Sequence, residues 1–338
     1  MEYRRLKEYI GHRAQLFEVR ESRLSGGRAD GTRIVDIFNG GNLSVTIVPD
    51  ACMDILSVRY KGRCLNYISP SGQAHPAYYN PFGEGWSEVF PAGFLFTCGL
   101  SHIGIKDDDW EGMKEHGAIG NRPAEHLNIT EYETEDGRPG VLLEGTMRES
   151  MLAGRNLSLR RRIRMEYAKD VIEIEDTVKN EGFRAVPHMI LYHCNMGWPL
   201  LSPESCVKIP NKGIRPRTEF AEKMRDAFST IPEPFDSLEE MCYYYDTIED
   251  EDGMVTVEMR NPQEGAGIKL RYGKKTLPQF VQWKNFVKGE YIMGLEPGNA
   301  TIDGKADAEN RGALPMIGPQ EEISYHLCFS FNDGQEEG

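Results

Sequence analysis

Residues 323–331 read ISYHLCFSF, with Ile323, Tyr325, Leu327, Phe329 and Phe331 at every second position. Successive residues of an extended chain point to opposite sides, so this period of two puts all five apolar side chains on one face of a strand. A helix would scatter them around its circumference. The same alternation recurs in short runs over 33–38, 43–48, 55–60, 141–147, 157–165 and 171–178, and again over 186–195, 255–259, 267–272, 279–283 and 291–295. Gly, Pro, Asn and Asp cut the runs, and 35 glycines and 19 prolines supply the turns. Helical periodicity is scarce: residues 219–228 predict about three turns and 237–244 about two. No linker or internal repeat interrupts the series. The expected architecture is therefore all-β: one antiparallel β-sandwich domain over 1–338, with residues 1–30 as an N-terminal extension and 332–338 as a solvated tail.

Composition narrows the partners. Against 39 Lys and Arg stand 53 Asp and Glu, a formal charge of -14, so a nucleic acid or an anionic membrane would be repelled. The opening MEYRRLKEYIGHRAQ lacks an apolar signal core, and no apolar run approaches the length of a membrane span. Seven scattered cysteines without CxxC spacing read as reduced thiols in a cytoplasmic protein. No phosphate-binding glycine loop and no HExxH or GxSxG signature occurs. A small, neutral or weakly charged ligand fits this composition, and the oligomeric state is open.

Four segments carry candidate chemistry. The stretch 79–109 is rich in glycine and aromatic residues, with Trp86 inside it and Trp110 beside it, as expected of a site-bearing loop. Residues 186–201, VPHMILYHCNMGWPLL, place His193 and Asn195 on one strand face with Met189 and Leu191, and His188 on the other. The two histidines then cannot share a metal, so no metal is expected. His193 reads equally as a core histidine or as a functional group. In YIMGLEPGNATIDGKADAENR, 291–311, a strand runs into Glu296, and Pro297 and Gly298 are expected to end the pairing and leave the carboxylate at the sheet mouth. The turn HGAIGNRPAE, 116–125, offers His116 and the forked donor Arg122 to hydroxyls or a carboxylate, or else is structural. Arg160, Arg162 and Arg164 share a strand face that reads as solvated rather than as a nucleic-acid site.

The HG with Asn and Arg at 116–122, the strand-borne His193 and the GLEP at 294–297 together resemble aldose 1-epimerases. The segments GWSEVFPAGFLFTCGL (85–100), HGAIGNRPAE, LYHCNMGWPLL (191–201), QWK (282–284) and GLEPGN (294–299) are more closely similar to the DUF4432 branch of the galactose mutarotase-like superfamily. That resemblance implies a β-supersandwich of large antiparallel sheets with an open carbohydrate cleft on a concave face. It implies His193 as general acid and Glu296 as general base in opening and reclosing a pyranose ring, without a cofactor. It also implies contacts to a small carbohydrate from His116, Arg122, Asn195, Trp283 and Trp86. Mutarotases follow the site histidine with an aromatic residue and a Phe-Asn pair, whereas here it is followed by Cys194, Asn195, Met196 and Gly197. A non-catalytic sugar-binding protein, or another sugar epimerase or lyase on the same fold, stands beside the isomerase reading.

Overall fold

The computed structural model describes residues 3–105, 115–226 and 230–335. Two large antiparallel sheets face each other. The first has eleven strands in the order Glu18–Arg23, Arg33–Phe38, Leu43–Val48, Asp54–Tyr60, Leu95–Leu100, Met189–Met196, Glu290–Gly298, Gln279–Val287, Met241–Thr247 and Asn211–Pro216, with Arg63–Cys64 beside Asp54–Tyr60. The second has eight: Cys206–Lys208, Met254–Asn261, Ala266–Gly273, Glu322–Asn332, Val171–Asn180, Asn156–Glu166, Pro139–Ser150 and Glu125–Glu133. The expected all-β, galactose mutarotase-like β-supersandwich is the fold observed.

The alternating residues of 322–332 do what their period requires. Tyr325, Leu327, Phe329 and Phe331 are buried in the core between the sheets, where Phe94 meets Phe329 edge-on at 4.9 Å. Ile163 and Ile174 from the second sheet and Ile55, Tyr192 and Phe280 from the first belong to the same cluster. A smaller apolar cluster holds Phe96, Cys98, Met189, Leu191, Cys242, Tyr244 and Val281. These residues stand on the opposite face of the first sheet, so the central strands are covered on both sides.

That double covering explains where sequence patterning misleads. Residues 241–247 form a strand, not the end of a helix over 237–244. Tyr243 and Tyr245 point into the main core while Cys242 and Tyr244 point into the smaller cluster, and a strand buried on both faces shows no alternation. Leu95–Leu100, buried at every position, left no period for the same reason. The helix expected over 219–228 is Glu219–Lys223, started by the Thr218 hydroxyl accepting from Ala221 N at 3.1 Å; residues 227–229 lie outside the described residues. The N-terminal segment contributes an edge strand, Glu18–Arg23 on Arg33–Phe38, and buries Tyr3 and Phe17.

Arg161 faces away from the solvated Arg160, Arg162 and Arg164 and is fully buried between the sheets. Its guanidinium donates to Asp176 Oδ1 (2.9 Å) and Oδ2 (2.7 Å), to Asp54 and to Thr97 Oγ1 (2.9 Å). Tyr192 Oη also donates to Asp176 Oδ2, at 2.9 Å. Thr97 and Tyr192 belong to the two strands that adjoin the site from below, which ties those strands to the second sheet.

Candidate active site

His193 and Glu296 meet because Met189–Met196 and Glu290–Gly298 are antiparallel neighbours, with Cys194 opposite Leu295 and Asn195 opposite Gly294. His193 Nε2 lies 3.2 Å from Glu296 Oε1. The approach is close, yet Oε1 has no aligned hydrogen bond. Pairing does not stop at Pro297 as expected: Gly298 is still paired with Leu191 and Gln279. Glu296 therefore sits in the floor of the sheet, 1% exposed.

Gly294 makes that placement feasible. It stands between Asn195 and Trp283 in the row beside Glu296, and a Cβ there would come within 2.0 Å of Glu296 Oε1. The carboxylate fills the space of the missing side chain. The GLEP segment thus pairs a glycine with the glutamate two residues on, on the same strand face.

The turn at 116–117 is set by a left-handed pair, His116 at φ 53° and Gly117 at φ 75°. His116 N donates to Gly104 O at 2.9 Å, and Gly99 N donates to His116 O at 3.0 Å. A Cβ on Gly117 would lie 2.3 Å from Gly99 O, so only glycine fits. The His116 ring is thereby held 4.8 Å from Trp86 and 5.7 Å from His193, centroid to centroid. Trp86 stacks on Phe90 at 4.3 Å. Phe90 and Trp283 both meet the His193 ring edge-on, at 5.5 and 5.6 Å.

These groups line an open cleft of about 490 Å³, with Trp86, His116, His193, Trp283 and Glu296 among the lining residues. Sequence reading missed Phe90, Arg217 and Glu240, which line it too. Trp283 Nε1 donates to Glu240 Oε2 at 2.7 Å, and Arg217 Nε approaches Asp303 Oδ1 at 3.0 Å. No motif marks Arg217 or Glu240, because each precedes a turn or strand start far from the histidine in sequence.

Two expected contacts are placed elsewhere. Asn195 is fully buried, and its Nδ2 donates to Ala92 O (3.1 Å) and His193 O (3.0 Å), so it backs the histidine rather than lining the cleft. Arg122 is not among the lining residues; its carbonyl accepts from Cys52 N at 2.9 Å and its charge acts on Tyr79. The other face of the strand begins with His188, whose ring contacts Leu100 O (3.2 Å) and Tyr325 Oη (2.7 Å), a structural role. Trp110 lies outside the described residues.

Burial governs the electrostatics. It pushes His193 down to about 4, against an opposing pull from the Asn195 side chain. Burial, with the Glu240 charge adding to it, raises the Glu296 carboxyl well above the carboxylate range. His116 is lowered by burial and by the neighbouring His193, His102 and Arg217. Burial thus favours a proton on the carboxyl over one on the imidazole. Among the described residues no group of three His, Cys, Asp or Glu side chains is arranged to hold a metal.

The fold recurs in proteins of low sequence identity. A crystal structure described as "a putative aldose 1-epimerase" from Klebsiella pneumoniae subsp. pneumoniae MGH 78578 aligns with TM-score 0.90 at 21% identity, over 95% of this chain and 86% of that one. A galactose mutarotase-like protein from Clostridium acetobutylicum aligns with TM-score 0.66 at 11% identity, over 94% and 99%. Galactose 1-epimerase from Lactobacillus acidophilus NCFM aligns with TM-score 0.59 at 9% identity, over 94% and 100%. No curated protein matches the chain. The family model described as domain of unknown function DUF4432 matches residues 29–331, and the chain belongs to that family.

Proposed function

We propose that this protein is a sugar isomerase of the aldose 1-epimerase type, with His193 and Glu296 as its acid and base. The observation that carries the reading is the 3.2 Å approach of His193 Nε2 to Glu296 Oε1 in the floor of a walled cleft. The cleft volume lies within the ~300–1,000 Å³ of small-molecule sites, and Trp86, Phe90 and Trp283 offer apolar faces to a sugar ring.

Ring opening moves two protons. The base removes the proton from the anomeric hydroxyl O1 while the acid protonates the ring oxygen O5, so the C1–O5 bond breaks and an aldehyde forms. Rotation about C1–C2 presents the other carbonyl face, and the reverse transfers close the ring as the opposite anomer. A pair that shares one proton suits this exchange: Glu296 ionised with His193 protonated starts the opening, and the proton ends on Glu296. Burial, which favours the proton on the carboxyl over the imidazole, favours the ionisation of the open-chain intermediate. His116, Trp86 and Trp283 hold the ring; Asn195 orients His193 from behind. Arg122 has no part in binding in this reading. The reaction calls for proton transfer alone, so no cofactor is included and chelation with EDTA is expected to leave turnover intact. The seven unpaired thiols support a reducing, cytoplasmic setting, and the core cluster shared by both sheets supports a single domain.

The test is anomer exchange by saturation-transfer NMR across a panel of aldoses. His193→Asn and Glu296→Gln each lower exchange by about 100- to 10,000-fold, with circular dichroism unchanged. Wild-type exchange in both folded variants would remove these residues from the chemistry. Binding without exchange in the wild type would favour a sugar-binding protein instead.

A further inference from the structure

The Trp283 ring, one wall of the cleft, is tethered by a charged side chain, and the tether leads to a residue that no motif marks. Its indole Nε1 donates to Glu240 Oε2 at 2.7 Å. Glu240 lies just before the strand Met241–Thr247, next to the strand that carries Trp283. Trp283 in turn meets the His193 ring at 5.6 Å and stands opposite Gly294, the gap that houses the Glu296 carboxylate. One exposed carboxylate is therefore linked to a sugar-facing ring and to the proton-transfer pair together.

We propose that Glu240 is a positioning residue: it fixes Trp283 as a sugar platform and sets a negative charge in the cleft that Glu296 also lines. This rests on the isomerase reading above. An indole ring without its tether has two free torsions, and a loose wall binds the ring less well because ordering it must then be offset by the ligand. The charge acts separately. Cys98, Cys194 and Cys242 on three neighbouring strands feel the Glu296 charge, but burial keeps their thiols neutral. His193 shares the proton itself, and Glu240 is the carboxylate that adds to burial in raising Glu296.

The two roles separate in three variants. Glu240→Ala removes tether and charge, Glu240→Gln keeps a carbonyl acceptor for the indole N–H but removes the charge, and Trp283→Phe keeps a ring but removes the donor. In anomer-exchange kinetics Glu240→Ala is expected to raise KM about tenfold, the loss of one charged hydrogen bond, with kcat within about threefold. Glu240→Gln returns most of that KM. Both move the alkaline limb of the pH profile to lower pH, since Glu296 gives up its proton more readily without the nearby charge. Adding Glu240→Ala to Trp283→Phe raises KM no further, because the tether is already gone. Additive KM effects, or an unmoved alkaline limb, would overturn the proposal. If the wild type exchanges no sugar, the isomerase reading fails by itself. The tether is then read from acrylamide quenching of the Trp283 emission, obtained by difference against Trp283→Phe: greater quenching in Glu240→Ala upholds it, and quenching equal to wild type refutes it.

Discussion

At the scale of single residues, the candidate chemistry depends on a side chain that is absent. Gly294 leaves the space into which the Glu296 carboxylate folds, and the atom a new Cβ would strike is the far end of that carboxylate rather than backbone. Gly294→Ala is therefore expected to unfold at nearly the wild-type temperature while displacing Glu296 from His193. A misplacement of about 1 Å costs on the order of 100-fold in rate, so activity should fall far more than stability, as calorimetry and anomer exchange on the same sample would show. The pair also sets the pH dependence. Its active form carries one proton; a second proton goes to His193, held down to about 4 by burial. Turnover is expected to stay level through the weakly acid range and to fall as pH drops through about 4, where His193 and the carboxyl are both protonated and no base remains. On the alkaline side it falls when the raised Glu296 proton is lost. A pH profile with an acid limb near 6.5, an ordinary histidine value, would show that the imidazole is not buried as described.

Elements bring the remaining groups to the cleft with unequal success. The 116–122 turn presents two candidate donors, but its left-handed start turns the His116 ring toward Trp86 and His193, whereas Arg122 comes after a short 3-10 turn at Ile119–Asn121 and is not among the residues that line the cleft. His116→Ala is expected to weaken sugar binding about tenfold, in the range of a lost neutral hydrogen bond. Arg122→Ala should leave affinity as it is and lower thermal stability instead. Titration calorimetry with the best sugar decides between them, and a matching loss of affinity in Arg122→Ala would return that residue to the site. The HG signal was readable in the sequence, but which of its neighbours faces the cleft follows from two backbone angles that residue types alone do not specify.

Across the whole molecule, the buried Arg161 cluster is a polar link between the sheets. Asp176 meets the guanidinium with both oxygens, and Asp54, raised by burial to about 6, takes a third contact. Removing one partner leaves an unpaired buried charge, which costs about 3–5 kcal/mol. Asp176→Asn and Arg161→Met test this in different ways. The first should destabilise by that amount in chemical denaturation. The second also strands two carboxylates, so its loss should shrink as pH falls toward about 6 and Asp54, no longer held down by the Arg161 charge, takes up a proton. Because the folded-state value of Asp54 lies above its ordinary 3.8, the folded protein binds more protons in the window between them. Stability from this group is present at low pH and is lost as pH rises through about 6. A denaturation midpoint unchanged by Asp176→Asn would show that the cluster is not a clamp.

Much of this protein was decided locally. Alternation such as that of 323–331 specifies strands wherever one face is buried and the other is wet, and enough strands of that kind impose a sandwich. His193, Glu296, His116, Trp86 and Trp283 were also legible, through short motifs joined by the resemblance to aldose 1-epimerases. Strands covered on both faces lose their period, which is why 95–100 shows no alternation and 237–244 reads as a helix although 241–247 is a strand. What the tertiary structure alone decided is adjacency: Glu240 beside Trp283, Arg217 on the cleft wall, Asn195 behind His193 and Arg122 outside. Each of these depends on which strands become neighbours and on which way a turn leaves the sheet. The pairings across strands join residues tens to hundreds of positions apart, and no local pattern of residue types encodes them.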